Sequence, residues 1–511
     1  MTGPAPGGER RPSRAGGRRV QGGGPATGRR AATGRRGPGG PRVGGRVAAA
    51  ARPAPVTPDL LTARRVAWEL LRAVAARDAY ANLLLPRLIR DRGLDTRDAA
   101  LATELGYGAL RAEGQLDHVI RLASNRPLGQ IEQPLLDVLR LGAYQLLHTR
   151  VQPYAAVSAT VALAKEAVAE RTGGFTNAVL RRVAERAAGD DPLGLAGLAP
   201  DDALAIRTAH PRWVLDVIRT ALGAAAEAEL TAALEADDAR PAVHLVARSL
   251  DRAALVEEAT AAGLEATLGA LSPRAVRLGG GDPARLAAVR AGAAAVQDEG
   301  SQLVALALSR ADAPDGPVLD LCAGPGGKAA LLAALLPDTP LTAVEVQPHR
   351  ATLVREALQH SPRATVVEGD ARTVAGQREP APTRVLVDAP CTGLGALRRR
   401  PEARWRRSPA DAEALAPLQR ELLTAALDAV APGGVVLYAT CSMDLRETTE
   451  VVDAVLAGRG DVDREDVRPL LGGVPALGPG PTVQLWPHRQ GTDAMFLALL
   501  RRRAAAAPAL R

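Results

Sequence analysis

With 511 residues, 47% of them hydrophobic, the chain is too long for a single core and long enough for about three domains. Its formal charge of +8 sits at the start: residues 1–56 hold 12 arginines and one glutamate, so the rest of the chain is slightly acidic. The three cysteines, Cys322, Cys391 and Cys441, have no paired or zinc-ligand spacing, and no apolar run is long enough to span a bilayer, so disulfide scaffolds, zinc modules and membrane-spanning proteins are excluded.

The arginine-rich tail, residues 1–56, has no apolar periodicity and is expected to be disordered, either as a solvated extension or as an arm that tracks phosphates. From residue 57 to 188 the pattern turns helical. In "ARRVAWELLRAV", Val66, Leu70, Leu71 and Val74 share one face at 3.6 periodicity. "DTRDAALATELGYGAL" opens with Asp95 as N-cap and Asp98 three residues on, a capping-box variant. "IEQPLLDVLRLGAYQLLHT", "AVSATVALAKEAV" and "TNAVLRRVAERA" continue an all-α domain, with Trp68 as a packing residue. "GDDPLGLAGLAPDD" reads as a linker. A small α/β module follows over 200–292, where Trp213 again reads as packing.

Beyond residue 292 the alternation becomes regular. Strands "PVLDLC", "LTAVEV", "ATVVEGD", "RVLVDAP" and "GVVLYAT", separated by helical stretches, predict an open parallel sheet covered by helices over 293–505. The first strand runs into the turn "CAGPGGK". A phosphate-binding P-loop is excluded there, because Ala329 stands where that loop needs a hydroxyl for magnesium. Gly324-x-Gly326-x-x-Ala329 fits a dinucleotide-type turn, and Glu345 closes the next strand at the spacing suited to ribose hydroxyls. That combination is shared by sites for NAD, FAD and S-adenosylmethionine.

The later strands separate these. They end in Asp370, in Asp388-Ala-Pro-Cys391 and in Cys441, and ligands of open α/β sheets bind at the carboxyl ends of strands. Two thiols and a carboxylate beside a nucleoside pocket suit covalent chemistry on a pyrimidine. Cytosine C5 is too weak a nucleophile to take a methyl group unaided. A thiolate added to C6 makes C5 an enamine carbon, a carboxylate near N3 stabilises the adduct, and a second group assists release once the C5 proton is lost. Physical reasoning alone leaves open which thiol attacks.

"DLCAGPGGK", "DAPCTGLGALRRRPEARW" and "YATCS" resemble motifs of the RNA 5-methylcytosine methyltransferase family; "AAVSATVALAK" and "FTNAVLRRV" resemble a NusB-like RNA-binding domain, and "VQDEGSQLVA" resembles the segment that opens the family's catalytic domain. The resemblance runs over about residues 60–500. It implies a NusB-like all-α domain, a small α/β module and a Rossmann-like methyltransferase domain, acting as a cytoplasmic, metal-independent monomer on RNA, with small-subunit ribosomal RNA favoured. A transfer-RNA methyltransferase would share the catalytic half, and a non-catalytic RNA-binding protein would share the fold.

By that resemblance Cys322, Ala323, Gly324, Pro325, Gly326, Gly327 and Lys328 contact S-adenosylmethionine, Glu345 takes the ribose, Asp370 lies near the adenine, and Asp388 lies between cofactor and base. Cys441 would be the nucleophile and Cys391 would assist release; DNA cytosine methyltransferases use the cysteine of a Pro-Cys pair instead, which keeps Cys391 as the alternative. The basic run with Arg398, Arg399, Arg400 and Arg404 is expected to grip RNA phosphates, and Arg140, Arg181 and Arg182 are either surface charges or an RNA footprint of the helical domain. The chain departs from the family pattern at Ala329, at Glu345 in place of Asp, in "MDLRETTE" after the Cys441 turn, and in "GTDAMF".

Overall fold

The computed structural model describes residues 58–77 and 81–504; the arginine-rich tail lies outside them. Seven helices, Pro58–Arg77, Ala81–Asp91, Thr96–Arg111, Glu113–Ala123, Gln133–His148, Pro153–Ala167 and Gly173–Ala187, build the all-α region. They form because their apolar residues recur at helical spacing, and the stripe on the first helix is buried as expected: Val66 and Leu70 are fully enclosed and Leu71 and Val74 nearly so. Asp95 caps the third helix by accepting from the Asp98 N–H at 2.8 Å. Trp68 packs against this core while its indole N–H donates to the Pro134 carbonyl.

Three helices, Pro200–Arg207, Arg212–Leu222 and Ala226–Asp238, lead into a four-stranded antiparallel sheet. Its strands are β1 (Val243–Ala247), β2 (Ala266–Leu268), β3 (Ala275–Leu278) and β4 (Ala294–Val296), in the order β2-β3-β1-β4. The fourth strand lies past residue 292, so the sheet of the small module reaches into what sequence reading gave to the next domain.

The large sheet is mixed. β5 (Val318–Asp320), β6 (Leu341–Glu345), β7 (Ala364–Glu368), β8 (Arg384–Asp388) and β9 (Val435–Thr440) run parallel, as expected. β10 (Val462–Glu465), β11 (Val483–Gln484) and β12 (Phe496–Arg502) extend it antiparallel, giving the path β10-β12-β9-β8-β5-β6-β7 with β11 beside β12. The five expected strands form the parallel part, and the three antiparallel strands are an addition that the sequence pattern does not announce. β12 carries an unbroken apolar run buried on both faces over Phe496–Leu500, so it shows no two-residue alternation to announce a strand.

The order of the strands positions the site. After β5 the chain winds out to β6 and β7, then returns to the other side of β5 as β8, so the switch point of the sheet lies between β5 and β8. Crevices at the carboxyl ends of such strands are where open α/β sheets hold ligands. The glycine turn leaves β5, Asp388 ends β8, and Cys441 follows β9 directly.

Candidate active site

The turn after β5 is held by its own backbone and by one acid. Gly324 N–H donates to Glu345 Oε2 at 3.1 Å, and Gln347 N–H donates to Glu345 Oε1 at 2.9 Å. Arg350 reaches over to the Gly324 carbonyl at 2.5 Å. A Cβ on Gly324 would fall 2.1 Å from Glu345 Oε2, so only glycine lets the chain pass this close to the acid. Gly326 stands at φ 99°, a left-handed conformation that glycine adopts without strain, and caps the helix Gly327–Leu335. Ala323 N–H bonds the Val344 carbonyl at 2.9 Å, which pins the turn to β6. Cys322 packs against the core with Asp320 Oδ1 accepting from its backbone N–H at 3.3 Å.

Lys328, the second residue of that helix, donates to Asp388 Oδ2 at 2.7 Å and so bridges the ends of β5 and β8. Burial works against its ammonium, but Asp388 outweighs burial and leaves the Lys328 pKa above that of an ordinary lysine. The sulfurs of Cys391 and Cys441 lie 3.4 Å apart. The contact between them draws Cys441 down, against burial and Asp388 and with help from Lys328 and Arg400, and holds Cys391 well up, with burial and Glu447 adding to that rise.

Asp320, at the end of β5, is a group that sequence reading passed over. It is fully buried, its Oδ2 has no hydrogen-bond partner, and burial first, with Asp388 second, pushes its carboxyl up to about 7. Glu447 was also missed. It lies within the "MDLRETTE" segment and accepts from Thr392 N–H at 2.8 Å and Ser442 Oγ at 2.6 Å. Its signal in the sequence is its place six residues after Cys441. Asp370 caps the short helix Ala371–Ala375 beyond β7 and is paired with Arg372 at 2.5 Å, with no bond to the turn or the thiols.

The basic run does not stand where a phosphate grip requires. Arg398 is nearly enclosed, with Nε 2.9 Å from Asp493, one NH2 group 2.9 Å from Asp298 and the other on the Gly491 carbonyl. Arg399 also pairs with Asp493. Arg404 is fully buried and bonds Asp238 at 2.8 Å and the Ala209 carbonyl at 2.9 Å, both in the preceding helical segments. The expected RNA contacts at Arg398 and Arg404 are corrected: both side chains are enclosed within the protein, where a phosphate does not reach them. Arg400 is half-buried. In the helical region Arg140 is likewise enclosed and tied to Asp117 and Glu113, whereas Arg181 and Arg182 are exposed.

Among the described residues no group of three or more His, Cys, Asp or Glu is arranged to hold a metal ion, and no helix is long and apolar enough to cross a membrane. A cavity of about 650 Å³ opens at the opposite, amino-terminal end of the strands, lined by Asp315, Asp338, Arg378 and Arg384, away from all of these groups.

The model of the family described as 16S rRNA methyltransferase RsmB/F matches residues 305–501, and that of the NusB family matches residues 61–185. A putative methyltransferase of Mycobacterium tuberculosis is 55% identical over 451 residues, spanning 86% of this chain and 96% of that protein. The probable ribosomal RNA small subunit methyltransferase B of Bacillus subtilis is 31% identical over 455 residues, spanning 86% and 98%. The crystal structure of PH0851 shares the fold with a TM-score of 0.73 at 21% identity, over 88% of this chain and 99% of that one. Together with the domain order, these likenesses define an S-adenosylmethionine-dependent RNA methyltransferase. The chain belongs to the RsmB/F family of 16S rRNA methyltransferases.

Proposed function

We propose that this protein methylates C5 of a cytosine in small-subunit ribosomal RNA through a covalent thiol adduct, with Cys441 as the nucleophile. The observation that carries the reading is the pair of sulfurs 3.4 Å apart, with Lys328 joined to Asp388 beside them at the switch point of the sheet. A hydride-transfer site has no use for two thiols there. Substrate class is supported by the family and by the name of the Bacillus subtilis relative, and a target base has to leave its stack to meet a half-buried thiol at the strand ends.

The residues present fit S-adenosylmethionine. The bare backbone of Gly324 and Gly326 leaves room for close approach, and Asp320 Oδ2 is a buried acceptor without a partner. Leaving such an acceptor unmade costs about 1–3 kcal/mol, and a ligand ammonium would remove that cost. Exposed Val346 and Leu353, beside Glu345, offer apolar cover for a purine face. Cys322 to Lys328, Glu345 and Asp370 would hold the cofactor, which when bound supplies an electrophilic methyl group on its sulfonium.

The chain's own groups do the rest. Cys441, the more acidic thiol, adds to C6 as thiolate and makes C5 nucleophilic. Asp388, kept in place by Lys328, stabilises the adduct at N3. Once C5 is methylated, the C5 proton is lost to solvent with Cys391 assisting, the C5–H electron pair restores the C5–C6 double bond, and the C6–S pair leaves with Cys441 as thiolate. Arg181 and Arg182, exposed on the helical region, remain available to RNA phosphates.

The test is adduct trapping with the full-length protein and unmodified ribosomal RNA. Cys391→Ala is expected to accumulate a protein–RNA adduct on denaturing gels, and Cys441→Ala to form none. The reverse pattern overturns the assignment of the thiols. Bisulfite sequencing of RNA from cells with and without the gene checks the substrate: a lost signal in transfer RNA keeps the chemistry and replaces the target.

A further inference from the structure

The two thiols sit on separate loops, 50 residues apart in sequence, and nothing covalent fixes their spacing. Besides the bond from the Gly395 N–H to the Cys441 carbonyl at 2.9 Å, one buried side chain ties the loops together. Thr392 follows Cys391 and Ser442 follows Cys441, and both bond the carboxylate of Glu447. Oε1 receives the Thr392 N–H at 2.8 Å and Gln419 Nε2 at 3.3 Å; Oε2 receives Ser442 Oγ at 2.6 Å and the Thr392 hydroxyl. Gln419 also holds the Pro390 carbonyl at 2.8 Å, so the residue before Cys391 is tied to the same knot. The Glu447 backbone is fixed in turn, because Tyr438 on β9 donates its hydroxyl to the Glu447 carbonyl at 2.9 Å. Glu447, Ser442 and Gln419 are fully buried and Thr392 nearly so.

Every hydrogen-bond partner of Glu447 is neutral. A buried carboxylate held only by neutral donors keeps its field, which in a low-dielectric interior reaches neighbouring ionisable groups. Cys391 lies in that field, whereas Cys441 feels Asp388 on one hand and Lys328 and Arg400 on the other. The carboxylate on the Cys441 side, Asp388, is paired with Lys328 at 2.7 Å, whereas Glu447 on the Cys391 side is bonded by neutral donors, and that difference makes the surroundings of the two sulfurs unequal.

We propose that Glu447 is the positioning residue of the thiol pair: it ties the Cys391 and Cys441 loops together, and its charge makes Cys441 rather than Cys391 the reactive thiol. This rests on the reading of Cys441 as nucleophile and goes beyond it, since it names the group that makes two chemically identical side chains unequal.

Glu447→Gln separates charge from geometry. The amide oxygen can take the place of Oε1 opposite the two N–H donors, and the amide nitrogen can donate to the two hydroxyls, which rotate to accept. The measurement is the site of iodoacetamide alkylation in the full-length protein near neutral pH, mapped by mass spectrometry, beside steady-state methyl transfer. Wild type is expected to alkylate at Cys441. In Glu447→Gln the ratio of Cys441 to Cys391 labelling falls about tenfold, the effect of one pKa unit, and kcat falls with the KM for RNA unchanged. Glu447→Asp, which keeps the charge, retains the wild-type preference, and it carries the test should the glutamine variant not fold. A purely structural role predicts the opposite: both variants lose activity together with the labelling ratio unmoved. An unchanged ratio in Glu447→Gln, or equal labelling in Glu447→Asp, overturns the proposal. Failure of the underlying reading looks different, because Cys441→Ala then still forms the RNA adduct.

Discussion

Two segments leave the carboxyl ends of adjacent strands, β5 and β8, and each carries a conspicuous local pattern. The first, Leu321 to Lys328, works through its backbone: a left-handed glycine, a glycine pressed against Glu345, and an acid at the end of the next strand. The second, from Cys391 to Arg407, carries a run of arginines that looks like a phosphate grip and is instead a fastening. Arg398 reaches Asp298 and Asp493, Arg399 reaches Asp493, Arg404 reaches Asp238, Arg406 reaches the Val74 carbonyl, and the Trp405 ring lies so close to Gly114 that a Cβ there would come within 2.1 Å. The loop that presents Cys391 is therefore bolted to the helical region and to the small module. A pattern that acts through backbone geometry declares itself in a few consecutive residues. A long cationic side chain declares nothing until its partner is known, and here the partners lie up to 332 residues away.

The largest effect that can break this comparison is at Arg404. Removing one member of a buried ion pair strands its partners, at a cost of about 3–5 kcal/mol. Arg404→Ala is expected to lower the urea midpoint accordingly while leaving the salt dependence of RNA binding unchanged. A phosphate contact would do the reverse, reducing the salt slope by about one with little loss of stability.

Next in size is a pH effect under the turn. Asp320 has its carboxyl pushed up to about 7 from 3.8, by burial first and by Asp388 second. The folded state then binds this proton more tightly than the unfolded chain. The contribution of Asp320 is fully present at pH below about 4 and is lost as pH rises through about 7, with an amplitude of about 2–4 kcal/mol. Asp320→Asn should flatten that share of the slope in urea titrations taken across this range. A slope unchanged by the substitution would mean that the site already neutralises the charge.

How much was legible follows the same division. Cys322–Lys328, Glu345, Asp388, Cys391 and Cys441 can be picked out as candidates from the sequence because each stands at or just past the end of a strand. β12 was hidden because a strand buried on both faces has no period of two. Asp298 and Asp493 lay inside quoted motifs, yet their role is to meet Arg398, a contact across 95 residues or more that no local pattern encodes. Glu447 was hidden for a further reason. Its work is to join the residues next to two other site residues, so it becomes visible only once both loops are in place.

The smallest effect sharpens the backbone half of the comparison. Gly326 stands at φ 99°, where a side chain is strained whatever the space, and a Cβ there would meet the Ala357 Cβ at 2.7 Å and the Val354 Cα at 3.1 Å. Both neighbours belong to the helix Pro348–Leu358, and the nearer contacts are a methyl with no rotamer to change and a backbone atom. Gly326→Ala is therefore expected to cost about 1–3 kcal/mol, taken either as lost stability or as a turn that relaxes away from this conformation. Relaxation would move the N–H groups that open the helix Gly327–Leu335, so affinity for S-adenosylhomocysteine, read by calorimetry, should fall about tenfold for each 1.4 kcal/mol spent there. RNA affinity should stay unchanged, because the turn is tied to β6 and Glu345, not to the helical region. Loss of both affinities together would mean that the turn and the fastening act as one unit and that the division between them is too sharp.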